Sequence, residues 1–213
     1  MAQGKDATMP ILEHLEELRK RLLISVGVLL VATILSFAFT DRFIEVLTLP
    51  IGGLESLVSI EVTENISMFM RVALLSGVIL AMPVIVYELL MFILPGLTPA
   101  EKRWIYFGVP MASILFLCGV LFTYFVMLPT AIPFLLNFLG VKTTPRLSNY
   151  ISFVTNMMFW IGLSFELPLL AFLLAKLRVI SGKLLARGWR IAIIVIAVVA
   201  AVVTPTPDVV NMS

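Results

Sequence analysis

The chain has 213 residues, of which 61% are hydrophobic and 13% are charged, and its formal net charge is +2. A soluble domain usually carries about 25% charged residues, so the composition excludes an ordinary water-soluble protein. The small net charge favours no class of partner by itself.

The hydrophobic residues are gathered into five long runs bounded by charged residues, proline or glycine. A transmembrane helix needs roughly 20 predominantly apolar residues, because about 30 Å of hydrocarbon must be crossed at about 1.5 Å per residue. The fifth run, residues 191–203, is short for a span, so either it borrows residues at its ends or the bilayer thins around it. The runs are continuous rather than alternating, which excludes a transmembrane β-barrel. We predict an all-α polytopic bundle in a single membrane domain (1–213), with spans near residues 22–39, 67–94, 105–128, 151–177 and 190–204.

The distribution of Lys and Arg predicts the orientation in the membrane. With the N-terminus in the cytoplasm, the inner connections hold eleven of the 15 Lys and Arg residues and the outer connections hold four. Cytoplasmic loops are enriched in these residues. The N-terminus is therefore predicted to be cytoplasmic, and five spans leave the C-terminus outside.

The first charged segment forms an amphipathic pattern. Residues 11–23 place Ile and Leu at helical spacing, which predicts a helix lying on the inner membrane surface and continuing into the first span. One interpretation of its charges is structural, with Glu16 paired to Lys20 and Glu17 to Arg21 at i, i+4. A binding role for Glu17 is the alternative.

The connection after the second span also has two compatible interpretations. Thr98, Pro99 and Glu101 have the spacing of an N-cap, a first-turn proline and a capping-box carboxylate, which predicts the start of the third long helix. The Glu101 carboxylate would also lie at the inner membrane edge, where it could accept an incoming cation.

An acidic residue interrupts the fourth apolar run. Glu166 precedes Pro168 in this run, and a charged group inside a membrane costs at least about 2.5 to 3.5 kcal/mol on insertion scales, which makes Glu166 a functional candidate. The alternative is a neutral, hydrogen-bonded side chain that packs helices together. Pro168 and Pro83, the latter in the second run, predict kinks.

Four segments in register resemble the TatC family. They are residues 14–22 (HLEELRKRL), 92–103 (FILPGLTPAEKR), 164–168 (SFELP) and 204–208 (TPTPD). The resemblance covers nearly the whole chain. It implies a concave, glove-like scaffold of six helices with outer caps, in a bacterial-type cytoplasmic membrane and with both ends in the cytoplasm. The chain departs from the family by ending at Ser213, before a sixth span, so we expect this span to be missing.

The resemblance also implies a function and a set of partners. TatC is the receptor of the twin-arginine protein export system, which transports folded proteins. It binds the twin-arginine signal peptides of these cargo proteins at its cytoplasmic face and recruits TatA-type and TatB-type single-span subunits. A homo-oligomer is a further expectation, and no nucleic-acid partner is expected.

Matching the motifs residue by residue gives the implied site. Glu17 and Glu101 are implied as the partners of the two peptide arginines, since a guanidinium presents a planar fork to a carboxylate. Glu166 is implied as an intramembrane functional acid. The residues implied in signal-peptide recognition are Glu17, Arg19, Arg21, Phe92, Glu101, Lys102 and Arg103. The structural or partner-contact candidates are Pro50, Pro83, Pro168 and Asp208.

Two other classes of membrane protein share some of these features or require others that can be checked in the sequence. A secondary transporter of a small solute would also use an intramembrane acid and broken helices, but it should show inverted repeats and more polar midplane residues; it is the alternative function. A membrane-embedded hydrolase needs a nucleophile with a base, two acids or a metal site. The only histidine, His14, lies in the surface helix, and the only cysteine is Cys118. We predict no enzymatic activity, no metal and no cofactor.

Overall fold

The structure is a computed structural model. It describes residues 11–93, 99–137 and 144–176, with the side chains of these residues except 11, 12, 93, 99–106, 174 and 176. The predicted fifth span at 190–204 and Asp208 lie outside the described residues. So do the side chains of Glu101, Lys102 and Arg103.

Six α-helices account for most of the described residues. They are α1 (Ile11–Ser36), α2 (Thr40–Thr48), α3 (Glu64–Ile93), α4 (Pro99–Phe122), α5 (Leu128–Leu136) and α6 (Leu147–Lys176). Two short 3₁₀ segments, Leu49–Ile51 and Leu54–Ser56, follow α2, and a π-helical turn, Thr123–Met127, joins α4 to α5. The described residues contain no strand, only an isolated β-bridge between Val58 and Arg146. The predicted all-α class is confirmed.

Three helical stretches are long and apolar enough to cross a membrane. They are Glu64–Phe92, Phe107–Leu136 and Leu147–Leu173. The stretch Glu13–Ser36 and the following Thr40–Ile51 are bent by 78° relative to one another and make a fourth span if they are counted as one broken element. The fold is thus that of a helical membrane protein, and the ends of the individual spans stay predictions.

The third long helix continues past Leu128, where the predicted span ends. The π-helical turn carries the chain from α4 into α5, and the Thr123 hydroxyl donates to the carbonyl of Gly119 at 2.9 Å. Pro129 then falls in the first turn of α5. Its missing N–H is tolerated in a first turn, because that N–H would have no helical partner there.

Helix α3 is the centre of the bundle and packs against α1, α4 and α6. A Cβ added to Gly77 would lie 2.8 Å from the Cα of Thr33, so the backbones of α1 and α3 approach closely at this point. A Cβ added to Gly119 would likewise lie 2.8 Å from the Cα of Gly162, where α4 crosses α6. Small residues at helix contacts are typical of membrane bundles, where close backbone packing replaces hydrophobic burial.

The bundle has two ends, which we name from the predicted orientation. The inner end is where Leu90, Gly108 and Leu173 meet, since the Leu173 and Leu90 side chains lie around Gly108. The outer end carries an outer cap, which we define as residues 40–63 together with residues 144–150. In the cap, Gly52 and Gly53 both have φ of +96°, a region that favours glycine.

Hydrogen bonds across the outer end hold the two parts of the cap together. The buried carboxylate of Glu64 accepts the backbone N–H groups of Ile60 and Ser148 at 2.9 and 2.7 Å and the Nε of Arg146 at 3.1 Å. Arg146 also pairs with Glu61 at 2.7 Å. The hydrogen bonds that Arg146 donates to Glu61 and Glu64 raise the pKa of its guanidinium. The cap is therefore tied to the start of α3 by charge-assisted contacts.

Two tyrosines fix α2 onto the bundle. The Tyr124 hydroxyl donates to the carbonyl of Val46 at 2.9 Å, and the Tyr150 hydroxyl donates to the carbonyl of Leu47 at 2.8 Å. Carbonyl groups in the last turn of a helix lack helical partners. The carbonyl of Val46 also accepts the backbone N–H of Leu49, so Tyr124 adds a second hydrogen bond there, and the two tyrosines together position α2 across the outer end.

Candidate functional site

An arginine lies between two carboxylates at the inner end of α1 and α3. Arg21 Nε and Nη2 donate to Glu17 Oε1 at 2.9 and 2.6 Å, and Arg21 Nη1 donates to Glu88 Oε2 at 2.9 Å. All three nitrogens of the guanidinium are thus engaged. We call Glu17 and Glu88 the acceptor pair.

The acceptor pair combines a local contact with a distant one. Glu17 and Arg21 lie one turn apart on α1, at the i, i+4 spacing that brings side chains together, and the predicted ion pair between them is observed. Glu88 lies 67 residues after Arg21 and reaches it from the facing surface of α3. The side chains of Arg21, Glu17 and Glu88 are 19%, 24% and 11% exposed. These charges are partly shielded, so their hydrogen bonds are stronger than those of a fully exposed pair.

An aromatic pair stands beside the acceptor pair. The rings of His14 and Phe92 are stacked, with centroids 4.5 Å apart and planes inclined by 14°. His14 lies about one turn before Glu17 on α1, and Phe92 about one turn after Glu88 on α3. The structure therefore brings Glu17, Arg21 and Phe92, three of the predicted recognition residues, to one inner surface between α1 and α3.

The other predicted recognition residues are placed less closely. Arg19 is exposed on α1, as is its neighbour Lys20. Glu101 lies in the first turn of α4, which begins at Pro99 as the capping pattern predicts. The side chain of Glu101 lies outside the described ones, so the shared role of Glu17 and Glu101 as partners of the two peptide arginines stays a prediction.

Sequence reasoning missed Glu88. This residue stands in the run Val86-Tyr87-Glu88-Leu89-Leu90 near the inner end of an apolar helix, and its carboxylate is buried. The same argument that singled out Glu166, an acid within an apolar run, could have found it.

Glu166 lies away from the inner end, in the middle part of α6. Its side chain is buried, with the residue 2% exposed, and its Oε1 has no hydrogen-bond partner in the part of the chain that the structure describes. It follows Gly162 by one helical turn, so it lies on the face of α6 where α4 crosses. A buried oxygen without a partner can accept a hydrogen bond from a group that arrives later.

The predicted proline positions occupy two settings, a 3₁₀ segment and the interior of long helices. Pro50 lies within the 3₁₀ segment Leu49–Ile51 of the outer cap. Pro83 and Pro168 lie inside α3 and α6, and both are exposed on the bundle surface. Their roles in structure or partner contact stay predictions.

Comparison with known proteins identifies the family. Residues 13–213 match the family described as Sec-independent protein translocase protein (TatC). The chain is 38% identical to the TatC of Carboxydothermus hydrogenoformans over 97% of its own length and 86% of that protein. It is also 38% identical to the TatC of Deinococcus radiodurans, over 97% of its own length and 80% of that protein. The chain belongs to the TatC family.

The solved structures agree with this family assignment. A crystal structure of the twin-arginine translocase receptor TatC in the detergent DDM matches with a TM-score of 0.80 and 34% identity, covering 90% of this chain and 88% of that one. The resemblance predicted from the four motifs is confirmed. As a TatC-family member with several apolar helices, the protein is a membrane component of a Sec-independent protein translocase.

Proposed function

We propose that this TatC-family protein is a receptor that binds twin-arginine signal peptides at the inner end of the bundle, with that end and the N-terminus in the cytoplasm. The observation that carries the proposal is the contact of Arg21 with the acceptor pair. A guanidinium already lies between two partly shielded carboxylates at this end. A peptide arginine would need the same kind of acceptor.

The chemistry of the guanidinium accounts for selectivity. Arginine presents several donors in a planar fork, whereas the lysine ammonium is a compact, strongly hydrated charge. Charge-assisted hydrogen bonds from arginine to Glu17 and Glu101 would therefore favour an arginine pair over a lysine pair. Phe92, which stacks on His14, offers an apolar surface for the residue that follows the pair. Arg19, Lys102 and Arg103 complete the proposed recognition surface.

The proposal has a second part, which is that the protein recruits partner subunits. Glu166 supports this part. Its buried Oε1, without a partner among the described residues, is an acceptor for a polar group on a TatA-type or TatB-type single-span helix, or on the inserted peptide. Polar side chains contribute to association between membrane helices by hydrogen bonding across them. The assembled complex, including any homo-oligomer, would carry folded cargo proteins across a bacterial-type cytoplasmic membrane.

The test is peptide binding by the purified protein in lipid nanodiscs. A labelled peptide with a twin-arginine motif is compared with a peptide in which both arginines are lysine. We expect preference for the arginine peptide, and we expect Glu17→Lys and Glu101→Lys each to weaken its binding. Glu16→Lys is the matched control, because Glu16 is exposed beside Glu17 and makes the same change in charge. If Glu17→Lys and Glu101→Lys both bind the arginine peptide as the control does, the site lies elsewhere.

A further inference from the structure

We propose that Arg21 is a resident occupant of the recognition site, so that an incoming peptide arginine must displace it from the acceptor pair. This inference rests on the proposed function, and it concerns how that site is regulated. The guanidinium of Arg21 is chemically identical to the group that the peptide would bring. It engages both members of the acceptor pair, with contacts of 2.6 to 2.9 Å.

The position of Arg21 distinguishes it from the neighbouring cations. Arg19 and Lys20 are exposed, whereas the side chain of Arg21 is 19% exposed and turns toward α3. Of these three consecutive cations, only Arg21 therefore lies where it would compete for Glu17 and Glu88.

The contact of Arg21 with Glu88 is not the only contact between α1 and α3. The backbones of these helices approach closely at Thr33 and Gly77, twelve residues further along α1 than Arg21. A peptide arginine that takes the place of Arg21 supplies the same charge, so the exchange leaves neither carboxylate of the acceptor pair without a cation. Arg21 can therefore leave the acceptor pair while the helices stay packed.

Occupancy by Arg21 predicts a lower apparent affinity for the peptide. When the binding-competent state is only a fraction of the population, the apparent dissociation constant rises by the inverse of that fraction. If Arg21 leaves the acceptor pair open about one tenth of the time, its removal should strengthen binding about tenfold, which corresponds to about 1.4 kcal/mol. A lysine at this position would compete less well, because it cannot present the same fork to both carboxylates.

The experiment compares Arg21→Gln with Lys20→Gln in the full chain in nanodiscs. Both variants remove one positive charge from adjacent positions on α1, but Lys20 is exposed. The dissociation constants of the twin-arginine and twin-lysine peptides are measured at one fixed salt concentration, because screening changes charge effects. We expect Arg21→Gln to bind the twin-arginine peptide about tenfold more tightly than the wild type, and Lys20→Gln to differ from the wild type by less than about twofold.

The outcomes separate this inference from the proposed function. If the wild type prefers the arginine peptide but Arg21→Gln binds it no more tightly than Lys20→Gln does, the inference is overturned and the proposed function stands. If neither the wild type nor Arg21→Gln prefers arginine over lysine, the proposed function itself fails. Should Arg21→Gln melt well below the wild type, Arg21→Lys is measured in its place. If Arg21→Lys binds the twin-arginine peptide more tightly than the wild type does, displacement is supported. If it binds this peptide equally or more weakly, displacement is overturned.

Discussion

Glu64 at the start of α3 accepts the backbone N–H of Ser148 at 2.7 Å, although the two residues are 84 positions apart in the sequence. The same carboxylate accepts the N–H of Ile60 and the Nε of Arg146. One buried side chain therefore joins both parts of the outer cap to the bundle.

Glu64→Ala should lower the melting temperature of the protein in detergent, because four donors, the backbone N–H groups of Ile60, Glu61 and Ser148 and the Nε of Arg146, lose their acceptor at a buried position. Glu55→Ala is the control, since Glu55 is exposed in the same connection between α2 and α3. Binding of a twin-arginine peptide at the inner end should persist below the melting temperature. Equal melting of the two variants would show that the cap does not depend on Glu64.

Glu88→Gln should weaken binding of the twin-arginine peptide by about fivefold, or about 1 kcal/mol, a value reduced for the partial exposure of the site. The amide keeps the shape of the side chain but loses the negative charge. Arg21 would still be held by Glu17 through its Nε and Nη2 contacts. Glu13→Gln, an exposed change on the same end of α1, is the control. The affinity of both variants for the labelled twin-arginine peptide is measured by titration. Equal affinities would show that Glu88 takes no part in binding the peptide.

Gly77→Ala should destabilise the bundle by about 1 to 3 kcal/mol through overpacking. Its new Cβ would lie 2.3 Å from Thr33 Oγ1 and 2.8 and 2.9 Å from the Cα and N of Thr33. Adding Thr33→Ala to Gly77→Ala should restore little of the lost stability, because the backbone Cα and N of residue 33 still lie too close to the new Cβ. Gly27→Ala is the matched control on α1, where a Cβ would meet nothing within 4 Å. The stability of both glycine variants is measured by unfolding in mixed micelles. Equal stabilities would contradict the close approach of α1 and α3 at Thr33 and Gly77.

Glu166→Ala should impair transport while leaving membrane insertion and peptide binding largely intact. Removing an ionisable group from an apolar helix eases insertion, if it has any effect. Glu166→Gln is the comparison, because it keeps one carbonyl oxygen as an acceptor while losing the acid. Export of a folded reporter protein gives transport, and the amount of protein in the membrane gives insertion. Loss of stable protein in Glu166→Ala would instead assign the residue to helix packing.

Apolar runs and local spacing were enough to predict much of this molecule. Long stretches without charge predict membrane helices wherever they occur, and the i, i+4 spacing of Glu17 and Arg21 predicts their ion pair. The predicted third span ended at Leu128, and the continuation of the helical stretch to Leu136 was not predicted. In the structure, the π-helical turn at Thr123–Met127 places Pro129 in a new first turn, where proline is tolerated.

Contacts between distant segments could not be predicted from the sequence. Arg21 meets Glu88 only because α1 and α3 pack side by side with a particular register, and a single sequence does not specify that register. The bridge between Val58 and Arg146 likewise depends on the two outer connections meeting. Of the acceptor pair, Glu17 was therefore predicted from the sequence and Glu88 was not.

The close contact of Thr33 with Gly77 is the point about which α1 would tilt if its inner end moved. By helix rise, Arg21 lies about 18 Å from Thr33 along the axis, whereas Ser36 lies only about 4.5 Å beyond it. Tilting α1 about this contact so that its inner end moved about 2 Å would displace Ser36 by about 0.5 Å. A tilt of this size would move the inner end of α1, as the proposed exchange of one arginine for another requires, while the tyrosine-anchored α2 stays in place.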